Sequence, residues 1–273
     1  MKDLLNKIKQ TTDYLIENGI SNAETAIVLG TGLGSLLSSI VVIKSIPFQN
    51  IPNFPESTVE FHKGNLVLGK LGEKRVIVFQ GRFHYYEGYS MQEITFPVRI
   101  AGALGVKQLF LSNAAGGMNP TYRKGDLVLI EDHINQLPDN PLRGLNAPEY
   151  GNRFVDMSQP YDLTLNAALL ASGKSLQIEI KRGVYVSVMG PNLETKAEYR
   201  FLHAIGADMV GMSTVPEVIV ANHIGLRCAA ISVITDECDP DNLKLVNIAE
   251  IIEVAAKADE RLTKILINAI SSI

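Results

Sequence analysis

The spacing of apolar residues along the chain changes repeatedly between the period of helices and that of strands. Near the N-terminus, Leu4, Leu5, Ile8, Leu15 and Ile16 recur at helical spacing, and they predict an amphipathic helix that Gly19 ends. The same period predicts further helices over 92–104, 163–172, 195–205, 217–224 and 248–270.

Short runs rich in β-branched residues lie between these helices and predict strands. The run AIVLG at 26–30 is a short buried strand, and residues 65–80 form a hairpin that turns at Gly72 and Glu73. Further strands are predicted over 106–112, 125–131, 183–190, 207–212 and 226–235. The alternation predicts an α/β fold with helices on both faces of a mixed central sheet.

Composition narrows the class of protein. The 273 residues, 46% of them hydrophobic, suffice for one large domain over 1–273, and no linker divides them. A net charge of -4 with dispersed Lys and Arg argues against nucleic acid or an anionic membrane as partner. The sequence shows no signal-peptide core and no membrane-span-length apolar run, and its two cysteines suit a reducing compartment, so we expect a cytoplasmic protein.

Polar or glycine-rich segments follow the predicted strands. They are GTGLGS (30–35), FQGRFHYYEG (79–88), SNAAGG (112–117), MGPNLETKAE (189–198), GMSTVPE (211–217) and ITDEC (234–238). In open α/β sheets, ligands bind at the carboxyl ends of strands, where loops and helix N-termini converge. The sequence therefore predicts a binding site built from several of these segments.

Arg82 and His84 are suited to an anion, because a guanidinium can grip phosphate with two N–H groups and a histidine can add a further donor. Thr31 in its glycine-rich loop, the small residues after Asn113, and Ser213 before a helix also suit an oxyanion. Each has an ordinary alternative, which is a tight turn, close packing or a helix cap. Glu194 either lies at a helix start or faces the N–H groups of a ligand.

Two short motifs partly match known nucleotide-binding motifs, but the residues around each of them do not fit such a site. GTGLGS has Ser35 where a dinucleotide fingerprint needs glycine, and no acidic residue stands about 20 positions further on. GNLVLGK at 64–70 ends in Leu71 rather than Ser or Thr and lies within the predicted hairpin. The five histidines are dispersed, so no metal site is predicted.

Taken in order, GTGLG, GRFHYYEG, SNAAGG, GPNLETKAEYR and GADMVGMSTVPEVIVA resemble the trimeric purine nucleoside phosphorylases of the nucleoside phosphorylase family. The resemblance runs over most of the chain. It implies a three-layer α/β sandwich around a mixed, distorted sheet, a homotrimer, and a role in purine salvage. The implied reaction is the reversible phosphorolysis of purine (deoxy)ribonucleosides to free base and (deoxy)ribose 1-phosphate, with phosphate as co-substrate and no cofactor.

The resemblance also assigns roles to individual residues. The implied phosphate site comprises Thr31, Arg82, His84, Asn113, Ala114 and Ser213. The implied ribose and purine contacts are His62 over the entrance, Tyr86, Met212, Leu193, Glu194, Asp236, and Tyr150 reaching in from the neighbouring subunit. Catalysis would rest on His84, Glu194 and Asp236. Leu193 departs from the phenylalanine common in this motif.

Asp236 is the main departure, because 6-oxopurine-specific relatives carry asparagine there. An ionised Asp236 would accept a hydrogen bond from a 6-amino group, so we hypothesise that it widens specificity toward 6-aminopurines; protonated, it could act as an acid toward N7. Ile248 or a neighbour replaces a histidine near the 5′-hydroxyl, which keeps a methylthioadenosine phosphorylase as an alternative. Outside the family, a dehydrogenase, a hydrolytic nucleosidase and a regulatory protein that binds purine nucleosides without turnover remain as competing classes.

Overall fold

The structure, a computed structural model, describes residues 2–31, 33–56, 64–145 and 151–273. Its helices are α1 (Lys2–Glu17), α2 (Met91–Ile94), α3 (Phe96–Ala103), α4 (Leu163–Ser175), α5 (Lys196–Ala204), α6 (Val215–His223) and α7 (Ile248–Ser272). Its strands are β1 (Thr25–Val28), β2 (Val41–Pro47), β3 (Asn65–Leu71), β4 (Lys74–Gln80), β5 (Gln108–Gly117), β6 (Leu127–Asn135), β7 (Ile180–Ser187), β8 (Met209–Gly211) and β9 (Arg227–Glu237).

The described strands form one mixed sheet in the order β2-β3-β4-β1-β5-β8-β7-β6-β9. Strands β4, β1, β5 and β9 run parallel to one another, whereas β8 is antiparallel to β5, and β6 is antiparallel to β9. Because β9 also pairs with β5, the strands β5, β8, β7, β6 and β9 close into a ring. The sheet is distorted because these five strands close into a ring.

Two hydrophobic cores cover the two faces of the sheet, which gives three layers. In β1, Ala26 and Val28 point to the core that includes α1, α3 and α6, while Ile27 points to the core that includes α4 and α7. This period of two places apolar residues on both faces of a buried strand. The predicted α/β fold with a mixed, distorted sheet is confirmed.

The elements differ from the sequence prediction in two places. Edge strand β2 was not predicted, although its start at Val41 is rich in β-branched residues. The helix predicted over 92–104 is interrupted at Thr95, two residues before Pro97, which has no N–H to donate to a carbonyl group of the preceding turn. Gly72 adopts φ +58° in the predicted hairpin turn. Within the described ranges, no helix is both long and apolar enough to cross a membrane.

Strand β5 changes its neighbour along one edge, and this change creates space at the middle of the sheet. Pairing with β1 ends where Val28 meets Leu111, and pairing with β8 begins at Gly116. The backbone between these two points is paired on its other edge with β9. An interruption of this kind leaves polar backbone groups accessible to a ligand.

Candidate active site

A cavity of about 170 Å³ opens at this interruption. Its lining includes eleven of the residues predicted from the sequence, namely Thr31, Arg82, His84, Tyr86, Asn113, Ala114, Leu193, Glu194, Met212, Ser213 and Asp236. The two other predicted site residues, His62 and Tyr150, lie outside the described residues. Segments from six separate parts of the chain thus meet around one space.

The strand ends converge for a reason that the sequence did not reveal. The segments after β1 and β4 and at the ends of β5 and β9 meet because these strands are parallel. Strands β7 and β8 run the opposite way, yet β8 lies beside the end of β5, since β5 continues past β1 to pair with β8 through Gly116 and Gly117. The convergence therefore depends on the length of β5.

Arg82 is fixed at one end of the cavity. It is buried; its Nε donates to Glu217 Oε2 at 3.2 Å, and its Nη1 donates to the Ser112 carbonyl at 2.5 Å. Glu217 is also buried and accepts from the backbone N–H of Thr214 at 3.0 Å. A buried ion pair of this kind fixes the position of the guanidinium and supplies the counter-charge that makes its burial possible.

His84 lies beside Arg82 and is oriented by Glu87. Glu87 Oε1 is 2.8 Å from His84 Nδ1 and accepts the His84 backbone N–H at 2.7 Å. Burial lowers the pKa of His84 below 6.5, which favours the neutral ring, and Glu87 partly opposes this shift. When Nδ1 donates to Glu87, the neutral ring has an acceptor at Nε2. The Tyr86 ring stacks on this imidazole with centroids 4.7 Å apart.

Ser213 is positioned by a strained turn before α6. Thr214, a β-branched residue, adopts φ +72°, and the Val215 N–H donates to the Ser213 carbonyl at 2.8 Å. Asn113 Nδ2 donates to Thr214 Oγ1 at 2.8 Å, and the Ser213 and Thr214 hydroxyls are 3.1 Å apart. The turn therefore ties the start of α6 to the middle of β5 and holds the Ser213 hydroxyl at the cavity.

Two carboxylates define the opposite end of the cavity. Burial raises the pKa of Glu194, and the charge of Asp236 raises it further. Glu194 is not the capping carboxylate of α5, because Glu198 accepts the Thr195 N–H at 2.7 Å. Glu198 therefore caps the start of α5, and Glu194 lines the cavity instead.

Asp236 accepts hydrogen bonds from two side chains that are close to it in the chain. The Thr235 hydroxyl donates to Asp236 Oδ1 at 2.9 Å, and the Cys238 thiol donates to Oδ2 at 3.1 Å. Both carboxylate oxygens of Asp236 therefore accept a hydrogen bond from a side chain. The cavity thus combines a cationic end at Arg82 with an acidic end at Glu194 and Asp236.

Comparison with known proteins agrees with this geometry. A profile described as the phosphorylase superfamily matches residues 24–271. The chain belongs to the phosphorylase superfamily. It is 46% identical over 266 residues to purine nucleoside phosphorylase 1 of Bacillus subtilis, covering 97% of each chain.

Solved structures in the superfamily share the fold. Isoform 2 of purine nucleoside phosphorylase from Schistosoma mansoni, in complex with cytosine and ribose-1-phosphate, is 39% identical with a TM-score of 0.93, over 98% of this chain and 96% of that one. A purine nucleoside phosphorylase from Schistosoma mansoni in complex with adenosine is 35% identical with a TM-score of 0.91, over 98% and 97%. The predicted family and the predicted enzyme class, a purine nucleoside phosphorylase, are confirmed.

Several residues that shape the cavity were not predicted from the sequence. Glu87 and Glu217 lie within the motifs GRFHYYEG and GMSTVPE, but only the structure shows that they contact His84 and Arg82. Tyr199 lines the cavity, and Cys238 contacts Asp236 from behind. Ile251, one helical turn after Ile248, is the apolar residue of α7 in the lining.

Proposed function

We propose that the chain catalyses the reversible phosphorolysis of purine (deoxy)ribonucleosides to free purine base and (deoxy)ribose 1-phosphate. The observation that carries this proposal is one cavity with a buried arginine and histidine at one end and two carboxylates at the other. An anion suits the first end, and a base that carries N–H groups suits the second. The names of the relatives support the same reaction.

Phosphate is bound by Arg82, the Ser213 and Thr31 hydroxyls and the backbone at Ala114, with Asn113 at the edge. A phosphate oxygen forms a bond to the anomeric carbon as the carbon–nitrogen bond breaks, and the electrons of that bond go to the departing purine. The negative phosphate stabilises the positive charge that develops on the sugar. Neutral His84 accepts a hydrogen bond from a phosphate hydroxyl at Nε2. Tyr86 and Met212 contact the ribose, and His62 covers the entrance.

The purine lies between Glu194 and Asp236, with Leu193 beside it. Ionised Asp236 accepts a hydrogen bond from a 6-amino group, and a protonated Glu194 donates to N1 of the same base. A 6-oxopurine instead donates its N1–H to ionised Glu194. We propose that Asp236 broadens a 6-oxopurine preference toward 6-aminopurines, a reading supported by the two donors that hold it as an acceptor.

Membership of the family supports a proposal about the assembly and the cellular setting. We propose a cytoplasmic homotrimer that serves purine salvage, in which Tyr150 reaches the neighbouring site. Inorganic phosphate is the co-substrate, and the reaction needs no other cofactor. The apolar Ile251 in the lining supports methylthioadenosine as an additional substrate, because an apolar residue near the 5′ position tolerates a thioether.

The test is base release from inosine, adenosine and methylthioadenosine, measured with and without inorganic phosphate. We expect release to require phosphate and ribose 1-phosphate to form in equal amount. Base release at the same rate with and without phosphate would indicate hydrolysis. Nucleoside binding without base release would indicate a regulatory protein.

The Asp236→Asn variant tests the specificity proposal. An amide can donate to O6 but no longer offers a carboxylate to a 6-amino group, so we expect the inosine-to-adenosine ratio of kcat/KM to rise about tenfold. Asp239→Asn is the matched control, since Asp239 is exposed and absent from the cavity lining. An unchanged ratio in Asp236→Asn would refute the role of Asp236.

A further inference from the structure

Residues 30–35, which we call the Thr31 segment, are held at both ends by other parts of the chain. At the start of the segment, the Gly30 N–H donates to Ser112 Oγ on β5 at 3.2 Å. At its end, the Ser35 N–H donates to Asp259 Oδ2 on α7 at 2.6 Å. Thr31, which lines the cavity, therefore lies between one anchor on the sheet and one on the C-terminal helix.

Asp259 caps a short helix that has no side-chain cap of its own. Residues Ser35–Ser39 form a 3-10 helix, and the first N–H groups of a helix have no partner within it. The residue before this helix is Gly34, which has no side chain that could accept a hydrogen bond. Asp259 takes the capping role from 224 positions away in the chain. A carboxylate is a strong acceptor for such an N–H, so this contact fixes where the helix begins.

Helix α7 makes two further contacts with the same part of the chain. Leu36 and Leu262 belong to one hydrophobic core, and the hydroxyls of Ser35 and Thr263 are 2.9 Å apart. Asp259 is buried beside them, with 4% of its surface exposed. A buried carboxylate has few alternative partners, so the position of its oxygen determines the position of the Ser35 N–H.

The same helix also reaches the cavity. Ile251 of α7 lines the cavity, and it lies about 12 Å along the helix axis from Asp259, since each residue of a helix adds 1.5 Å. Asp259 itself is not among the described residues that line the cavity. It can therefore act on a bound anion only through the segment that it holds.

We propose that Asp259 is a positioning residue for phosphate, because it holds the Thr31 segment in the place from which the Thr31 hydroxyl binds phosphate. This inference rests on the proposed function. A segment that is ordered before its ligand arrives loses little conformational freedom on binding, so more of the contact free energy appears as affinity. The alternative is that Asp259 only stabilises the fold, as any helix cap does.

The experiment compares Asp259→Ala, Asp259→Asn and Asp259→Glu in the full chain. Calorimetry gives the affinity for inorganic phosphate, phosphorolysis of inosine gives kcat and the KM of each substrate, and denaturant unfolding gives stability. Asp162→Ala is the matched control. The Asp162 carboxylate also accepts a backbone N–H at the start of a helix, from Leu165 at 2.9 Å, and Asp162 is not among the described residues that line the cavity.

The three replacements separate the position of the acceptor from its charge. Asp259→Ala leaves the Ser35 N–H without its acceptor, so we expect phosphate affinity to fall about tenfold and the KM for phosphate to rise by a similar factor, with the KM for inosine changed less than about twofold. Asp259→Asn keeps an oxygen within reach of the N–H, so phosphate affinity should stay close to that of the wild type. Asp259→Glu keeps the charge but moves the oxygen by one methylene, so phosphate affinity should fall several-fold.

The control distinguishes positioning from general stability. Asp162→Ala should lower the free energy of unfolding and leave phosphate affinity unchanged, because its helix α4 does not hold the Thr31 segment. If Asp259→Ala does not fold, the comparison of Asp259→Asn with Asp259→Glu still tests the proposal, since only the first keeps the acceptor in place.

Other outcomes overturn the inference. Wild-type phosphate affinity in folded Asp259→Ala, phosphate binding by Asp259→Asn that is no tighter than by Asp259→Glu, or an equal loss in Asp162→Ala would reduce Asp259 to a stabilising cap. Wild-type protein that binds phosphate but releases no base with it would refute the proposed function alone. Wild-type protein that binds no phosphate, with or without hypoxanthine, would refute both.

Discussion

The protonation state of His84 decides whether its imidazole donates a hydrogen bond to phosphate or accepts one from it. A protonated imidazole would add positive charge beside Arg82, whereas a neutral ring that donates from Nδ1 to Glu87 has an acceptor at Nε2. Burial favours the neutral ring, and the pKa lies below 6.5. The sequence suggested that His84 donates a hydrogen bond to phosphate, whereas a neutral ring that donates from Nδ1 to Glu87 would accept one from a phosphate hydroxyl at Nε2.

The Glu87→Gln variant tests this account. Glu87 raises the pKa of His84 through its hydrogen bond and its charge, so its neutral replacement should lower that pKa further. Histidine titration by NMR, without phosphate, measures both values. The His133 titration is the internal control, because Glu87 does not affect its pKa. A His84 pKa that rises in the variant would contradict the proposed hydrogen-bond geometry.

At the scale of elements, two of the three glycines in the loop after β1, Gly30 and Gly34, have different surroundings. A Cβ on Gly30 would lie 2.7 Å from the Ser112 carbonyl oxygen and 2.8 Å from Asn113 Cα, which are backbone atoms of β5. A Cβ on Gly34 would have nothing within 4 Å, and its φ is -121°. Gly30 therefore lets the end of β1 pack directly on β5 and places Thr31 at the cavity.

This difference predicts unequal effects of alanine at the two positions. Gly30→Ala should push β1 away from β5, lower the free energy of unfolding by about 2 kcal/mol or more and weaken phosphate binding. Gly34→Ala should be close to neutral for both. Denaturant unfolding and phosphate titration measure the effects. Equal stability and equal phosphate affinity of the two variants would contradict this role of Gly30.

The start of α6 is the second element that positions the cavity. The helix brings Glu217 to Arg82, and the turn before it brings Thr214 to Asn113, so three distant chain segments are joined by side-chain contacts. The motif GMSTVPE suggested a helix cap and an anion site. Both interpretations are compatible with the structure, because the residue that accepts the capping N–H is also the partner of Arg82.

At the scale of the whole molecule, the closed ring of β5, β8, β7, β6 and β9 brings the purine end and the phosphate end together. Asp236 lies near the end of β9, and Glu194 follows β7, so the two carboxylates come from different sides of the ring. The ring could not be predicted from local periodicity, because it depends on the neighbours of β5. One edge of β5 pairs with β9, and the other edge pairs first with β1 and then with β8.

The proposed trimer predicts complementation between inactive variants. If Tyr150 completes the neighbouring site, Tyr150→Ala and Arg82→Ala chains should each have low activity, and mixed trimers should recover about a quarter of wild-type activity, because some sites combine an intact Arg82 with an intact Tyr150. Chains are mixed unfolded and refolded together, and assembly is measured by sedimentation. The control mixes each variant with itself. A trimer without recovery would refute the shared site, and a monomer would refute the assembly.

The long amphipathic and strand-forming segments were predictable, because the period of apolar residues is a local property of the chain. The hairpin at Gly72, helix α4 and helix α7 were predicted for this reason, whereas edge strand β2 was missed and Pro97 broke a predicted helix. The residues of the site came from motifs after strands. Their roles in binding stay predictions, although those within the described residues line one cavity.

The sequence by itself determined the family, the alternation of strands and helices, and the residue types at the cavity. Motifs and apolar periodicity are local properties of the chain, so they can be recognised before any tertiary contact is known. The tertiary structure decided how these residues meet. Glu217 is 135 positions from Arg82, and Thr214 is 101 from Asn113, so chain order could not show which carboxylate neutralises the arginine or which amide holds the turn. Only the closure of the sheet around β5 places them within hydrogen-bonding distance.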